Sequence, residues 1–292
     1  MIYISSFCFM AVSVIPAQYF QRKRGLANGV VFAGGGLGGA AISIAAEQLI
    51  RRLGTAWAFR ITGLLTLATG LPAAWLLQER SRRLRTTFID WRLFRNPRFS
   101  LLFLAGMIAM FPLFVPPFFL PLYAQSLNLS SATGAALVAG FNFSSAPGRI
   151  TMGLLCDKLG PINTLFLSLL LSGLSMLLMW PFSGGLGLLL AFAIINGFGN
   201  GGFFSTMPTV VGNVFGSDRV ALAFGMIVTG WSGGYLAGAP IAGYLLSAFG
   251  GEEAGLRAFR PAVFYAGSMA MGAAGLVLAM RMLTERKLLK KL

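Results

Sequence analysis

Nine apolar segments fill most of this chain, at residues 1–20, 26–50, 57–77, 99–123, 132–155, 161–182, 185–213, 220–249 and 261–283. A helix rises about 1.5 Å per residue, so about 20 apolar residues cross a hydrocarbon core of roughly 30 Å. Each segment is long enough to span. The basic residues between them alternate in density. With the gap at 21–25 placed in the cytosol, 18 of the 23 Lys and Arg fall in cytosolic gaps or the C-terminal tail. Arg22, Lys23, Arg24, Arg80, Arg82, Arg83, Arg85, Arg92, Arg95, Arg98, Arg149, Lys158, Arg219 and Arg281 are among them. Only 5, Arg51, Arg52, Arg60, Arg257 and Arg260, fall opposite. Positive charge stays inside, so the expectation is an all-α, polytopic membrane helix bundle of about nine spans, with the N-terminus outside and the C-terminus in the cytosol.

Composition removes other classes. Hydrophobic residues make up 56% of the chain and charged residues 11%, against about 25% charge in a soluble domain. The net charge of +15 belongs to helix ends that orient the chain rather than to a nucleic-acid surface. The sequence has no His, which removes histidine-based triads and His-ligated zinc. Neither a cofactor nor a metal is expected, and the chain does not read as an enzyme. Its expected partners are the lipid bilayer and a small-molecule substrate, with no nucleic acid. Topology keeps Cys8, in the first segment, from pairing with Cys156, at a cytosolic edge. Residues 1–20 do not read as a secretory signal, because their basic cluster follows the apolar run instead of preceding it.

The Arg-rich stretch 79–98 (ERSRRLRTTFIDWRLFRNPR) reads as a cytosolic linker between a partial bundle at 1–78 and a six-helix bundle at 99–292. A weak repeat crosses it: Gly29, Gly34 and Gly38 match Gly225, Gly230 and Gly234 at a constant offset of 196. Parallel repeats related by an axis along the membrane normal are a transporter device. Two matches to G-x-G-x-x-G, at Gly34/Gly36/Gly39 and Gly197/Gly199/Gly202, lie inside spans and lack the downstream acid a dinucleotide site needs. Close helix packing accounts for them better. Gly34/Gly38 and the ladder Gly230, Gly234, Gly238, Ala242 would form smooth stripes for a neighbouring backbone. Gly230-Trp231-Ser232-Gly233-Gly234 fits the esterase elbow G-x-S-x-G only in letters, since no His partner exists.

Polar residues inside spans mark candidate sites. Asn142, Ser145 and Arg149, at i, i+3 and i+7, would give one helix a polar face whose guanidinium can grip an anion. The alternatives are an Arg reaching the cytosolic interface or pairing with Asp157. Asn196 and Asn200, followed by Phe203 and Met207, form a comparable stripe. Pro112, Pro116, Pro117 and Pro121 require segment 99–123 to kink or open. Its Phe111, Phe114 and Phe118 share a face, toward either a cavity or lipid. Glu47 near Arg51 is an ion pair or a transport group. Asn128-Leu129-Ser130 is a glycosylation sequon in an outer gap.

The stretch GRITMGLLCDKLG (148–160) resembles the cytosolic loop signature G-x-x-x-D-[RK]-x-G of the major facilitator superfamily, with Gly153, Asp157, Lys158 and Gly160 in its fixed positions. YFQRKRGLANGVVFAGGGLG (19–38) looks like the fungal monocarboxylate-porter branch in particular. The resemblance implies a partial major facilitator fold, supplying helices four to twelve and lacking the first three. It implies alternating access for a small organic solute, a monocarboxylate or related anion, in the plasma membrane. It gives Arg149 the role of substrate cation, with Asn142, Ser145, Asn196, Asn200, Phe114 and Phe118 around it. The loop glycines Gly153 and Gly160 would make a tight turn, and Asp157 and Lys158 would pair at the cytosolic gate. Animal members that couple to protons carry an Asp where this chain has Ser145. Two alternatives stand beside this reading: efflux of a fungal secondary metabolite, and a truncated, non-transporting membrane protein.

Overall fold

The computed structural model describes residues 13, 15, 16, 19, 20, 22–76, 89–216 and 219–284. Cys8 and most of segment 1–20, the Arg-rich residues 79–88 and the tail from 285 lie outside the described residues. From Arg24 on, the described residues form these helices in order: α1 (Arg24–Leu76), α2 (Pro97–Leu113), α3 (Val115–Ser126), α4 (Ser131–Leu159), α5 (Pro161–Leu178), α6 (Leu186–Phe215), α7 (Val220–Ala248) and α8 (Leu256–Thr284). No strand occurs among the described residues.

Local chemistry sets the boundaries. Asn96 caps α2 by accepting from the Arg98 amide at 3.1 Å, with Pro97 in the first turn where its missing N–H costs nothing. Ser130 caps α4 through the Thr133 amide at 3.1 Å. Gly160, at φ 93°, ends α4 in a conformation that an L side chain rarely adopts.

Six candidate spans by length and composition occur among the described residues. Segments 26–50 and 57–77 run into one helix, α1, bent at Gly54 (φ 80°, ψ 168°). Segment 132–155 became α4, long enough to cross but outside that set. Its polar residues, the candidate site among them, dilute its hydropathy. The expected kink in segment 99–123 is present as the break at Phe114 between α2 and α3.

The helices after residue 96 form a ring: α2 packs on α8, α8 on α5, α5 on α6, α6 on α4, and α4 on α3. α7 closes over α2 and α8, and α1 lies along α4 and α6. One half of the core gathers Phe99, Met110, Phe203, Phe224 and Trp231. The other gathers Tyr123, Trp180, Phe192 and Phe259. Leu93, within the stretch read as linker, is buried in the first cluster through the turn Trp91–Arg95. Beyond Gly54, α1 leaves Trp57, Phe59, Leu64, Leu71 and Trp75 exposed.

Glycine sets how closely these helices approach. A Cβ at Gly148 would overlap the Phe198 carbonyl, one at Gly197 the Phe141 carbonyl, and one at Gly201 the Ser145 carbonyl, so α4 and α6 meet backbone to backbone. Gly25, Gly29 and Gly36 bring α1 equally close to α4. Gly230, Gly234 and Gly238 take Phe103, Met110 and Phe111 of α2, and Ala242 is fully buried, as the stripe on α7 predicts. The matching stripe on α1 is misassigned: Gly34 and Gly38 face open space. The face toward α4 runs through Gly25, Gly29, Gly36 and Gly39, which at about 100° per residue lies on roughly the opposite side of the helix from Gly34 and Gly38. Gly148→Val should therefore lower the melting temperature of the purified chain, an overpacking cost of about 1–3 kcal/mol. Gly140→Ala, whose new methyl would find its nearest neighbour at 3.9 Å, should leave it unchanged; differential scanning fluorimetry compares the two.

Candidate functional site

The site is built where α1, α4 and α6 meet and where the Pro-broken α2–α3 pair and α7 bring up aromatic rings. α4 carries Arg149 half-buried against α1. Its Nη1 donates to the Phe32 carbonyl. The guanidinium carbon lies 5.6 Å from the centroid of the Phe204 ring on α6, in cation–π range. Nε is buried without a hydrogen-bond partner. Gly35 makes room for the group, because a Cβ there would stand 2.6 Å from Nη1. Arg149 thus does not pair with Asp157, whose oxygens are taken by the Gly25 and Leu26 amides. Its buried, unsatisfied Nε–H leaves the guanidinium under-bonded beside an aromatic face.

The rings continue from Phe204. Its centroid is 6.3 Å from Phe114, which lies 4.9 Å from Tyr235 of α7 and 6.5 Å from Phe118. Phe118 and Tyr235 are exposed while Phe204 is buried. The series therefore runs from the cation toward open space.

The polar stripe on α4 divides. At about 100° per residue, Ser145 stands about 60° from Asn142 and about 40° from Arg149 around the helix. Asn142 lies on α1, its Oδ1 3.2 Å from where a Cβ of Gly39 would be, and its Nδ2 donates to Val138 in its own helix. Ser145 is buried against Gly201 of α6. The stripe on α6 is core. Asn196 Nδ2 donates to Ser175 Oγ at 2.8 Å and to the Ser172 carbonyl at 3.1 Å, tying α6 to α5. Asn200 Nδ2 donates to the Leu113 carbonyl at 2.6 Å. Phe203 and Met207 are fully enclosed. Neither Asn hydrogen-bonds to Arg149; the residue of α6 that meets it is Phe204, one turn after Asn200.

Phe204, Tyr235, Gly35 and the Phe32 carbonyl were not anticipated. Phe204 follows Asn200 at helical spacing, which was a usable signal. Tyr235 and the Phe32 carbonyl depend on tertiary contacts that no local pattern carries.

The loop motif is rearranged as well. Asp157 does not take Lys158, which is exposed on the last turn of α4. Its Oδ1 accepts from the Gly25 amide at 3.0 Å and its Oδ2 from the Leu26 amide at 2.9 Å. The carboxylate thus caps the first turn of another helix, where amide donors and the helix dipole favour negative charge. Gly160 turns the chain as expected. Gly153 instead serves packing: its missing Cβ admits the Gly25 carbonyl. Nearby, Asn28 Nδ2 donates to Thr209 Oγ1 at 2.9 Å, joining α1 to α6. Near the middle of α1, before the bend at Gly54, Glu47 pairs with Arg51 at 3.0 Å and accepts from Ser131 Oγ at 3.3 Å. Asn128 is exposed in the α3–α4 turn at φ 57°, while the Ser130 of its sequon caps α4. An open recess of about 500 Å³ between α3 and α7 is lined by Phe119, Leu122, Leu246 and Ser247, and none of the residues around Arg149 borders it.

A model of the Major Facilitator Superfamily matches residues 3–140 and 102–291. The aspyridones efflux protein of Emericella nidulans is 32% identical over 83% of this chain and 51% of its own length. The agnestins efflux protein of Paecilomyces divaricatus is 28% identical over 90% of this chain and 61% of its own length. The fujikurins efflux protein of Gibberella fujikuroi is 28% identical over 94% and 59%. The chain spans about half to three fifths of the length of these relatives.

Cys156 reports on the cap, since it is buried under Gly25, whose Cβ would stand 2.6 Å from the Cys156 Cβ. Asp157→Asn removes the charge and one acceptor oxygen. In a Cys8→Ser background it should speed maleimide labelling of Cys156 several-fold, and unchanged labelling would show that the carboxylate does not hold α1 in place.

Proposed function

This chain belongs to the major facilitator superfamily, and we propose that it serves in the export of a fungal secondary metabolite with an anionic head and an aromatic or apolar body. The observation that carries this reading is Arg149, with a vacant N–H on its guanidinium and Phe204, Phe114, Phe118 and Tyr235 leading away from it. A guanidinium binds carboxylates and enolates through its planar fork, and aromatic faces bind a flat body by stacking. The two together select amphipathic acids. A small monocarboxylate needs the cation but not the rings, so metabolite export fits the residues better than monocarboxylate transport. The efflux relatives support the same choice. Asn142 and Gly35 shape the α1 side of the site, and Ser145 of α4 supports it by packing against Gly201 of α6.

Transport by alternating access requires a gate that opens and closes. Asp157 with Gly153 and Gly25 would serve as the cytosolic closure, releasing the first turn of α1 when it opens. Lys158 would steer anions to that face, and the plasma membrane is the expected site of action.

Pyrenebutyrate, an aromatic carboxylate, tests the reading in vesicles containing the protein. Saturable movement of pyrenebutyrate, lost in Arg149→Ala at unchanged membrane level, is the expected result. Movement of lactate but not pyrenebutyrate would restore the monocarboxylate reading. No movement of either would favour a non-transporting membrane protein.

A further inference from the structure

The break between α2 and α3 leaves two successive carbonyls without their helical donors. The Pro112 carbonyl would accept from residue 116 and the Leu113 carbonyl from residue 117, and both of those residues are Pro. Such groups inside a membrane protein need other partners. The Phe114 amide turns back to the Pro112 carbonyl. For Leu113 no backbone donor is within reach of the helix. Asn200, 5% exposed on α6, supplies it across the interface at 2.6 Å.

We propose that Asn200 is a positioning residue: its side-chain amide replaces the N–H that Pro117 lacks, and so holds Phe114 in the aromatic wall beside Arg149. The inference rests on the site proposed above, and it moves Asn200 from substrate ligand to support. The geometry is direct. Phe114 is the residue at the break itself, at φ −97° and ψ −8°, immediately after the carbonyl that Asn200 grips. Its ring reaches Tyr235 at 4.9 Å and Phe204 at 6.3 Å. A single bond at Leu113 therefore fixes the bend between α2 and α3, and the bend fixes the ring. Asn200 also ties that bend to α6, the helix that carries Phe204. Without the bond the Leu113 carbonyl is left buried and unsatisfied, and α3 is free to swing about Phe114.

The test is a double-mutant cycle in which one residue restores what the other removes. Asn200→Leu keeps the volume and deletes the donor. Pro117→Ala returns an N–H to the Leu113 carbonyl within the helix. In the full chain in lipid nanodiscs, Asn200→Leu should lower the melting temperature by roughly 2–6 °C. In vesicles it should also raise the KM for pyrenebutyrate movement several-fold, with less effect on the maximal rate. Adding Pro117→Ala should restore both values, and in a Phe114→Ala background Asn200→Leu should raise KM no further. A substrate ligand would behave differently: Asn200→Leu would raise KM at unchanged melting temperature, and Pro117→Ala would not rescue it. That result, or no effect of Asn200→Leu on either readout, overturns the inference. The transport reading fails separately. Should the wild-type chain move no pyrenebutyrate while the melting cycle still couples residues 117 and 200, the bond is upheld and the proposed function is not. Loss of transport in Arg149→Ala with no coupling between 117 and 200 gives the converse.

Discussion

A helix in a bilayer gains nothing from hiding apolar side chains against other apolar side chains, since lipid tails are equally apolar. Association has to come from close van der Waals contact and from polar groups satisfied across interfaces. Everything in this fold follows from how α4 meets that requirement. It is the most polar of the long helices, and it is clasped on one side by α1 through Gly25, Gly29 and Gly36 and on the other by α6 through Gly197 and Gly201. With backbones that close, short polar side chains reach across: Asp157 to the amides of α1, and Asn142 to the surface at Gly39. The glycines are thus what makes a helix carrying Arg149 tolerable inside the membrane. They also explain why two of their clusters mimic a dinucleotide fingerprint with no nucleotide chemistry around them.

Arg149 and the proline break pose one problem in opposite signs. The guanidinium is a donor with too few acceptors, and the Leu113 carbonyl is an acceptor that lost its donor. The fold settles the second with Asn200 and settles the first only in part, through the Phe32 carbonyl and the Phe204 ring. Incomplete satisfaction of a charge is costly in a structural role and useful in a binding one, because an incoming anion recovers the difference. Asn196 differs from Arg149 on the donor side only: its Nδ2 is held by Ser172 and Ser175, while its Oδ1 is buried without a partner.

Helix existence was legible because length and apolar content suffice to read it. So were the break after Pro112 and the turn at Gly160, where backbone chemistry acts on the residue itself. Faces were less legible. Gly34 and Gly38 share the spacing of true packing stripes, yet α1 turns Gly36 and Gly39 to its neighbour, and sequence spacing does not say which of several small-residue faces finds a partner. Arg149 was recognisable from its position alone. Its environment was not, because Phe32, Phe204, Phe114 and Tyr235 come from four different helices and meet only in the folded bundle. Asn200 shows the limit most clearly: its polarity within a span drew attention, while its role depends on Pro117, 83 residues earlier (200 minus 117).

The two ends of the α1–α4 contact are built unequally, and that inequality has mechanical consequences. At the Asp157 end three kinds of interaction coincide: reciprocal glycine packing between Gly25 and Gly153, a carboxylate on two amides of a helix N-terminus, and the buried Asn28–Thr209 bond to α6. At the opposite end Glu47 reaches Ser131 through a longer, exposed bond, and it shares its oxygen with Arg51. Exposed pairs of that kind contribute about 0–1 kcal/mol, whereas charge on a helix terminus in a partly buried setting contributes up to about 2 kcal/mol and packing adds to it. Backbone-to-backbone contact is also short-ranged, so it is lost over a fraction of an ångström and resists gradual opening. The α1–α4 contact is therefore held more tightly at the Asp157 end than at the Glu47 end. Arg149 lies between them, on the firmly held side, so a ligand entering from the Glu47 end would meet the aromatic wall before the cation.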